Sequence, residues 1–158
     1  MKSAFDAYWD QVEAMNWPSD RRVPLPEPFE NAAGTIQNLC LRSVTSVASI
    51  TSHSKSKRAN HYHKTDWHFT FVVSGSVVYL ERTVGSTGSP ELIETFKAGT
   101  MFFTPPMIEH CMLFPSDTVI ITLAKNVRDH ETHESDLVRV DFVSDEHAQQ
   151  IFRFVENQ

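Results

Sequence analysis

Four histidines carry the side-chain chemistry that stands out in this sequence. His61, His63 and His68 fall within eight residues of "HYHKTDWH", and His110 follows in "TPPMIEHCMLF". The whole chain holds only 8 His in 158 residues, so half of its imidazoles sit in these two stretches. A neutral imidazole can bind a transition metal or carry a proton near neutral pH. His61 and His63 are two apart, and on an extended backbone such residues share one face with about 6–7 Å between Cα atoms. Two rings so placed can close on one ion with bonds of about 2.0–2.1 Å. "KTDW" reads as a four-residue turn, and an antiparallel return from it brings His68 back beside His63. The expectation is a metal site built from His61, His63, His68 and His110, with Asp66 as the alternative to His68. Imidazole donors favour zinc, copper, iron and nickel over calcium or magnesium. The competing readings are a solvated polar loop and a proton-sensing cluster. No catalytic residue beyond these is identified, and "RDHETHESD", with His130 and His133, reads as a solvated acidic loop. Lys55, Lys57 and Arg58 form a basic run that also reads as solvated loop, with contact to an anionic substrate as the alternative.

The elements that must position these residues are short and β-prone. Strands are expected near 35–42, 45–53, 68–74, 76–83, 91–97, 100–104, 109–115, 118–125 and 137–143. "SG" at 74–75, "GSTGSP" at 85–90, "KAG" at 97–99, "TPP" at 104–106 and "PSD" at 115–117 punctuate them. Such spacing predicts an all-β sandwich or barrel. Residues 1–16 read as an amphipathic helix with Phe5, Tyr8, Trp9, Val12 and Met15 on one face, ended by Pro18. That face must be covered by its own domain or by a neighbouring subunit. At the other end, Ser144 suits an N-cap, followed by a helical pattern through Ile151, Phe152 and Val155. The chain therefore divides into an N-terminal helix and proline-rich connector (1–28), a β domain (29–143) and a C-terminal helix (144–158).

The two histidine stretches resemble the paired motifs of the cupin superfamily, G-x5-H-x-H-x3,4-E-x6-G and G-x5-P-x-G-x2-H-x3-N. His61, His63 and Gly75 match the first, and Gly99, Pro105 and His110 match the second. Lys55 replaces the leading glycine, His68 stands at the glutamate position, Met107 replaces the second motif's glycine and Phe114 its asparagine. The resemblance covers about residues 35–125. It implies a single cupin jelly-roll β-barrel with short terminal helices and a three-His, one-Glu metal site, here varied to four His. Iron is the first expectation for the cofactor, with zinc, manganese, nickel or copper as alternatives. Without the glutamate the ion keeps its full charge and favours an anionic small molecule. The leading functional expectation is thus a metal-dependent dioxygenase-type oxidoreductase. The alternatives are a sugar-nucleotide epimerase or isomerase, in which a His such as His61 or His110 is the base without metal, and a non-catalytic sugar- or small-molecule-binding cupin.

Composition narrows the partners. The formal charge of −6, from 14 Lys+Arg against 20 Asp+Glu, speaks against nucleic acid and anionic membranes. No stretch has the roughly 18 apolar residues of a spanning helix, and "MKSAFDAYWDQVEAM" does not read as a signal peptide. Cys40 and Cys111 read as buried thiols in apolar runs, and no CxxC pair marks a zinc ribbon. A cytoplasmic protein, pairing as a homodimer and acting on a small molecule, is expected.

Overall fold

A computed structural model of the chain describes residues 17–18, 20–40 and 42–158. The helix expected over residues 1–16 lies outside these. In chain order the elements are β1 (Arg22–Val23), β2 (Phe29–Asn31), β3 (Gly34–Ile36), β4 (Ser46–Ser52), β5 (Ser56–His63) and β6 (His68–Ser74). They continue with β7 (Ser76–Thr83), β8 (Leu92–Lys97), β9 (Met101–Thr104), β10 (Ile108–Phe114) and β11 (Thr118–Ala124). The chain ends with α1 (His130–Asp136), β12 (Leu137–Arg139) and α2 (Asp145–Glu156). Two five-stranded antiparallel sheets face each other, one in the order β1-β9-β6-β11-β4 and the other β12-β5-β10-β7-β8. This is a jelly-roll sandwich. The expected closed barrel does not form, because each sheet keeps its own edge strands.

The core explains why several strands read as continuous apolar runs. Between the sheets lie Val72, Val77, Tyr79, Phe96, Phe102, Met112, Phe114 and Ile120. The outer face of one sheet buries Leu80, Cys111 and Leu113 against Ala148 and Phe152 of α2. The other sheet buries Trp67, Phe69, Met101 and Phe103 against Trp17, Val23, Leu25 and Leu39. Strands covered on both faces lose the polar alternation of a half-buried strand. The period-two rule still sorts β10: Met112 and Phe114 point inward with His110, while Cys111 and Leu113 face α2. Ser144 caps α2 by accepting from the His147 backbone N–H, as its sequence suggested. No helix among the described residues is long and apolar enough to cross a membrane.

The structure departs from the sequence reading in four places. Residues 56–63 form a strand, although "SKSKR" reads as loop. The basic run is consumed by packing: Lys55 pairs with Glu156, and Lys57 with Asp145 and the Val143 carbonyl. Arg58 donates to Ser52 Oγ and the Thr51 carbonyl. These cations hold α2 and β4, and do not reach the site. Second, α1 forms where a loop was expected, with Asp129 as its N-cap. Third, the strands predicted at 35–42 and 137–143 shrink to β3 and β12, while β1 and β2 go unpredicted. Fourth, β5 and β6 belong to different sheets, so "KTDW" is a crossover and no hairpin turn.

Gly75 joins β6 to β7 at the next crossover, with φ +78 and no room for a side chain. A Cβ there would meet the Thr118 side chain and lie 2.5 Å from the Asp117 carbonyl oxygen. A left-handed non-glycine residue and an overpacked contact each cost about 1–3 kcal/mol. Gly75→Ala is therefore expected to lower unfolding stability by about 2–4 kcal/mol in urea titration. A loss within error of zero would show that the turn can relax.

Candidate functional site

The sandwich brings all four singled-out histidines together at one end of its interior. His61 and His63 lie on β5 and His110 on β10, directly paired with His61. His68 opens β6 in the facing sheet, so it reaches the others across the sandwich. A bulge sets the alignment: His110 pairs with His61 but Cys111 pairs with Ala59, leaving Asn60 as the extra residue. Ala59 and Asn60 take the left-handed backbone (φ 66 and 62) that this requires. Ring centroids are 4.8 Å apart for His61–His63 and His61–His110, and 5.6–5.8 Å for His63–His68, His63–His110 and His68–His110. His63, His68 and His110 are 1–3 % exposed.

Hydrogen bonds fix which nitrogen of each ring can act. His110 Nδ1 lies 3.1 Å from the Ile108 carbonyl oxygen. A carbonyl only accepts, so in the neutral ring Nδ1 carries the proton and Nε2 is bare. His63 Nδ1 lies 3.1 Å from Asp136 Oδ2, which sets the same tautomer. That carboxylate also accepts from the Thr65 N–H (2.8 Å), Thr65 Oγ1 (2.7 Å) and the Asp66 N–H (3.2 Å). Burial alone would raise the Asp136 pKa, yet these donors bring it below the usual carboxylate range. His68 Nδ1 is buried without a hydrogen-bond partner.

All four rings are held neutral. Burial first, and then the repulsion that protonated His110 and His63 would exert, lowers His61 to about 2. Burial lowers His110 to about 3 although its bond to Ile108 pulls the other way. His68 is pushed well below the ordinary value by burial and then by Arg128. Burial also wins at His63, against the opposing Asp66 and Asp136.

Several residues that the sequence did not mark complete the site. Asp136 ends α1, and one turn earlier His133 places its ring 5.5 Å from that of His63. His133 is thus part of the constellation rather than of a solvated loop, while His130 is exposed. Tyr79 stacks on His110 at 6.2 Å, donates to Glu81 Oε2 (3.0 Å) and accepts from Thr104 Oγ1 (3.2 Å). Burial first, then Glu81, raises its hydroxyl well above the ordinary value. Arg128 lies 3.6 Å from Asp66 at the same end. A spacing signal exists for one pair only: His133 and Asp136 are i and i+3, on one face of any helix. Glu109 faces away from the cluster, as its parity predicts, and pairs with Arg82 at 2.5 Å.

Donor atoms of His61, His63 and His110 lie within 4.8 Å of one another, as do those of His63, Asp66 and His68. The donor set alone would therefore suit a cation as well as a polar organic ligand. Comparison with known proteins bears on the choice. No family model and no curated protein sequence matches this chain. Among solved structures it is similar to the QdtA sugar 3,4-ketoisomerase of Thermoanaerobacterium thermosaccharolyticum in complex with TDP. The identity is 21%, with 78% of this chain and 91% of that chain covered, at a TM-score of 0.58. A 3,4-ketoisomerase from Helicobacter canadensis matches at 14% identity over 79% of this chain and 92% of that one (TM-score 0.56). The dTDP-4-dehydrorhamnose 3,5-epimerase of Sulfolobus tokodaii matches at 15% over 68% and 70% (TM-score 0.55). These likenesses overturn the expectation of an iron dioxygenase, and with it that of a divalent transition-metal cofactor. The motif spacing places the rings together and does not specify what they bind. The fold is a jelly-roll sandwich, and these solved proteins share it.

Proposed function

We propose that this protein is an enzyme that isomerises or epimerises a keto-sugar carried on a nucleotide, by moving a proton at a carbon beside the carbonyl. One observation carries the reading: two buried, neutral imidazoles, His63 and His110, have Nδ1 occupied by Asp136 and Ile108 and thus bare Nε2 atoms in one cluster. A bare Nε2 removes the proton: the C–H bond breaks, N–H forms, and the electron pair moves into an enolate. Return of the proton to the former carbonyl carbon, as the hydroxyl proton passes from the neighbouring oxygen to the enolate oxygen, completes ketoisomerisation; return to the opposite face of the original carbon completes epimerisation. The low pKa values keep the rings unprotonated and ready in the resting enzyme. Because burial and mutual repulsion cause them, an anion entering the cluster raises them toward the range where imidazole exchanges protons efficiently. Asp136 holds the His63 tautomer and offsets the charge that forms on its ring. Tyr79, its hydroxyl engaged with Glu81 and Thr104, forms the wall against which His110 is set. The reading includes a cytoplasmic homodimer, and the exposed Ile93 on the edge strand β8 together with Phe154 on α2 offers an apolar face for a second copy.

Incubation of the full chain with TDP-4-keto-6-deoxyglucose in deuterated water, followed by proton NMR, tests the activity. Solvent deuterium at the carbon beside the ketone and a rearranged sugar are expected. His110→Asn should reduce kcat by about 10²–10⁴-fold, the usual worth of a general base. Asp136→Asn should reduce it by about ten- to a hundred-fold through loss of the tautomer. Exchange that is absent with keto-sugar nucleotides, or activity that requires a stoichiometric metal and vanishes on chelation, would sink the proposal.

The same neutral rings make the fold acid-sensitive. Their folded pKa values are depressed, so the unfolded chain binds more protons between the folded values and about 6.5. Stability is complete above pH 6.5 and falls as the pH drops below it. Each buried imidazole contributes about 1.4 kcal/mol per pH unit to the slope. Urea midpoints at pH 7.5, 6.0 and 5.0 should fall steadily, and His61→Gln should flatten the slope. A midpoint independent of pH over this window would contradict the buried neutral cluster.

A further inference from the structure

We propose that Arg128 is the anion-binding residue of this site and takes the diphosphate of the nucleotide that carries the sugar. The inference rests on the nucleotide-sugar reading above and adds the group that recognises the nucleotide's charge. Arg128 has five N–H donors, yet among the described residues its one ionic contact is Asp66 Oδ2 at 3.6 Å, too long for a hydrogen bond. Its Nε is buried with no hydrogen-bond partner among the described residues, an arrangement that costs stability unless a ligand completes it. The position itself is fixed. The Arg128 backbone N–H donates to Ser46 Oγ (3.0 Å), and the next residue, Asp129, caps α1, which carries His133 and Asp136. Asp66 is anchored from its other oxygen by the Asn126 N–H at 2.9 Å. An incoming oxyanion therefore displaces only a loose contact. Asp136 does not compete for the guanidinium, because its oxygens already accept from Thr65, Asp66 and His63.

Depth decides which anion this is. The Arg128 side chain is 19 % exposed, whereas His63, His68 and His110 are 1–3 % exposed. A sugar ring reaching the deep imidazoles trails its diphosphate toward the rim, where the guanidinium lies. Asp66, which Arg128 meets at 3.6 Å, has its donor atom within 4.8 Å of those of His63 and His68, so the two subsites lie within one ligand's span. Two parallel N–H···O bonds to a phosphate suit guanidinium geometry better than a lysine ammonium.

Calorimetric titration of the full chain with TDP, and separately with thymidine, tests this. Wild type should bind TDP with an affinity that falls with salt, and Arg128→Gln should weaken TDP about ten- to a hundred-fold and leave thymidine unchanged. Arg128→Lys, which keeps the charge and serves if the glutamine variant fails to fold, should fall between them. TDP affinity in Arg128→Gln or Arg128→Lys equal to wild type overturns the assignment while leaving the nucleotide-sugar reading intact. A drop in kcat with TDP affinity unchanged places the charge at the enolate oxygen and also overturns it. Wild type that binds no TDP removes the parent reading and this inference together.

Discussion

The Asp136 carboxylate is the constraint on which the site depends. It sits at the end of α1, and its two oxygens accept from the backbone N–H groups of Thr65 and Asp66, from the Thr65 hydroxyl and from His63. Three of those donors belong to the crossover that carries the chain from β5 in one sheet to β6 in the other. Pinning that crossover decides where His63 leaves one sheet and where His68 enters the other. A buried carboxylate satisfied by several donors is stable in place, and removing it would leave each of those donors unpaired at about 1–3 kcal/mol apiece. The same group orients the His63 ring. Scaffold and chemistry thus share one side chain.

Around that anchor the sandwich divides its interior by polarity. Aromatic and aliphatic side chains fill most of the space between the sheets, and imidazoles occupy one end. Burying rings that titrate near neutrality is unfavourable for their charged forms, so the fold selects neutral histidines. The proposed proton transfer requires that selection: a protonated ring cannot accept, and a cluster of charged rings would repel itself apart. The bulge at Asn60 serves the same end. Asn60 donates to the Val143 carbonyl oxygen just before α2 (3.1 Å), while His61 stands in register with His110.

The electrostatics of the histidine cluster differ from those of the whole chain, which carries a formal charge of −6. The local charges are few: Arg128 against Asp66 and a saturated Asp136. Neutral imidazoles add hydrogen-bonding capacity without adding charge. The basic run at Lys55–Arg58, which by sequence looked available to a substrate, is spent on α2 and β4. Net charge therefore says little about this site, because short-range fields from a few buried groups dominate inside a low-dielectric interior.

What the sequence determined by itself is the β architecture and the company of the histidines. Alternation and turn residues located β4, β6, β7, β8, β9, β10 and β11 to within a residue or two, and Ser144 marked the last helix. These features are local, so residue types within a few positions suffice to encode them. The four histidines singled out by motif spacing, His61, His63, His68 and His110, are neighbours in the structure. Tertiary structure alone decided that His68 arrives across the sandwich, that the polar segment before His61 is a strand, and that the sheets stay open at their edges. It alone brought Asp136, His133, Arg128 and Tyr79 to the site. Those partners are separated from the histidine motif by long stretches of chain, and only the burial of both sheet faces fixes which segments meet. The expectation of a metal failed for a related reason: spacing specifies where imidazole rings point, and not what occupies the space between them.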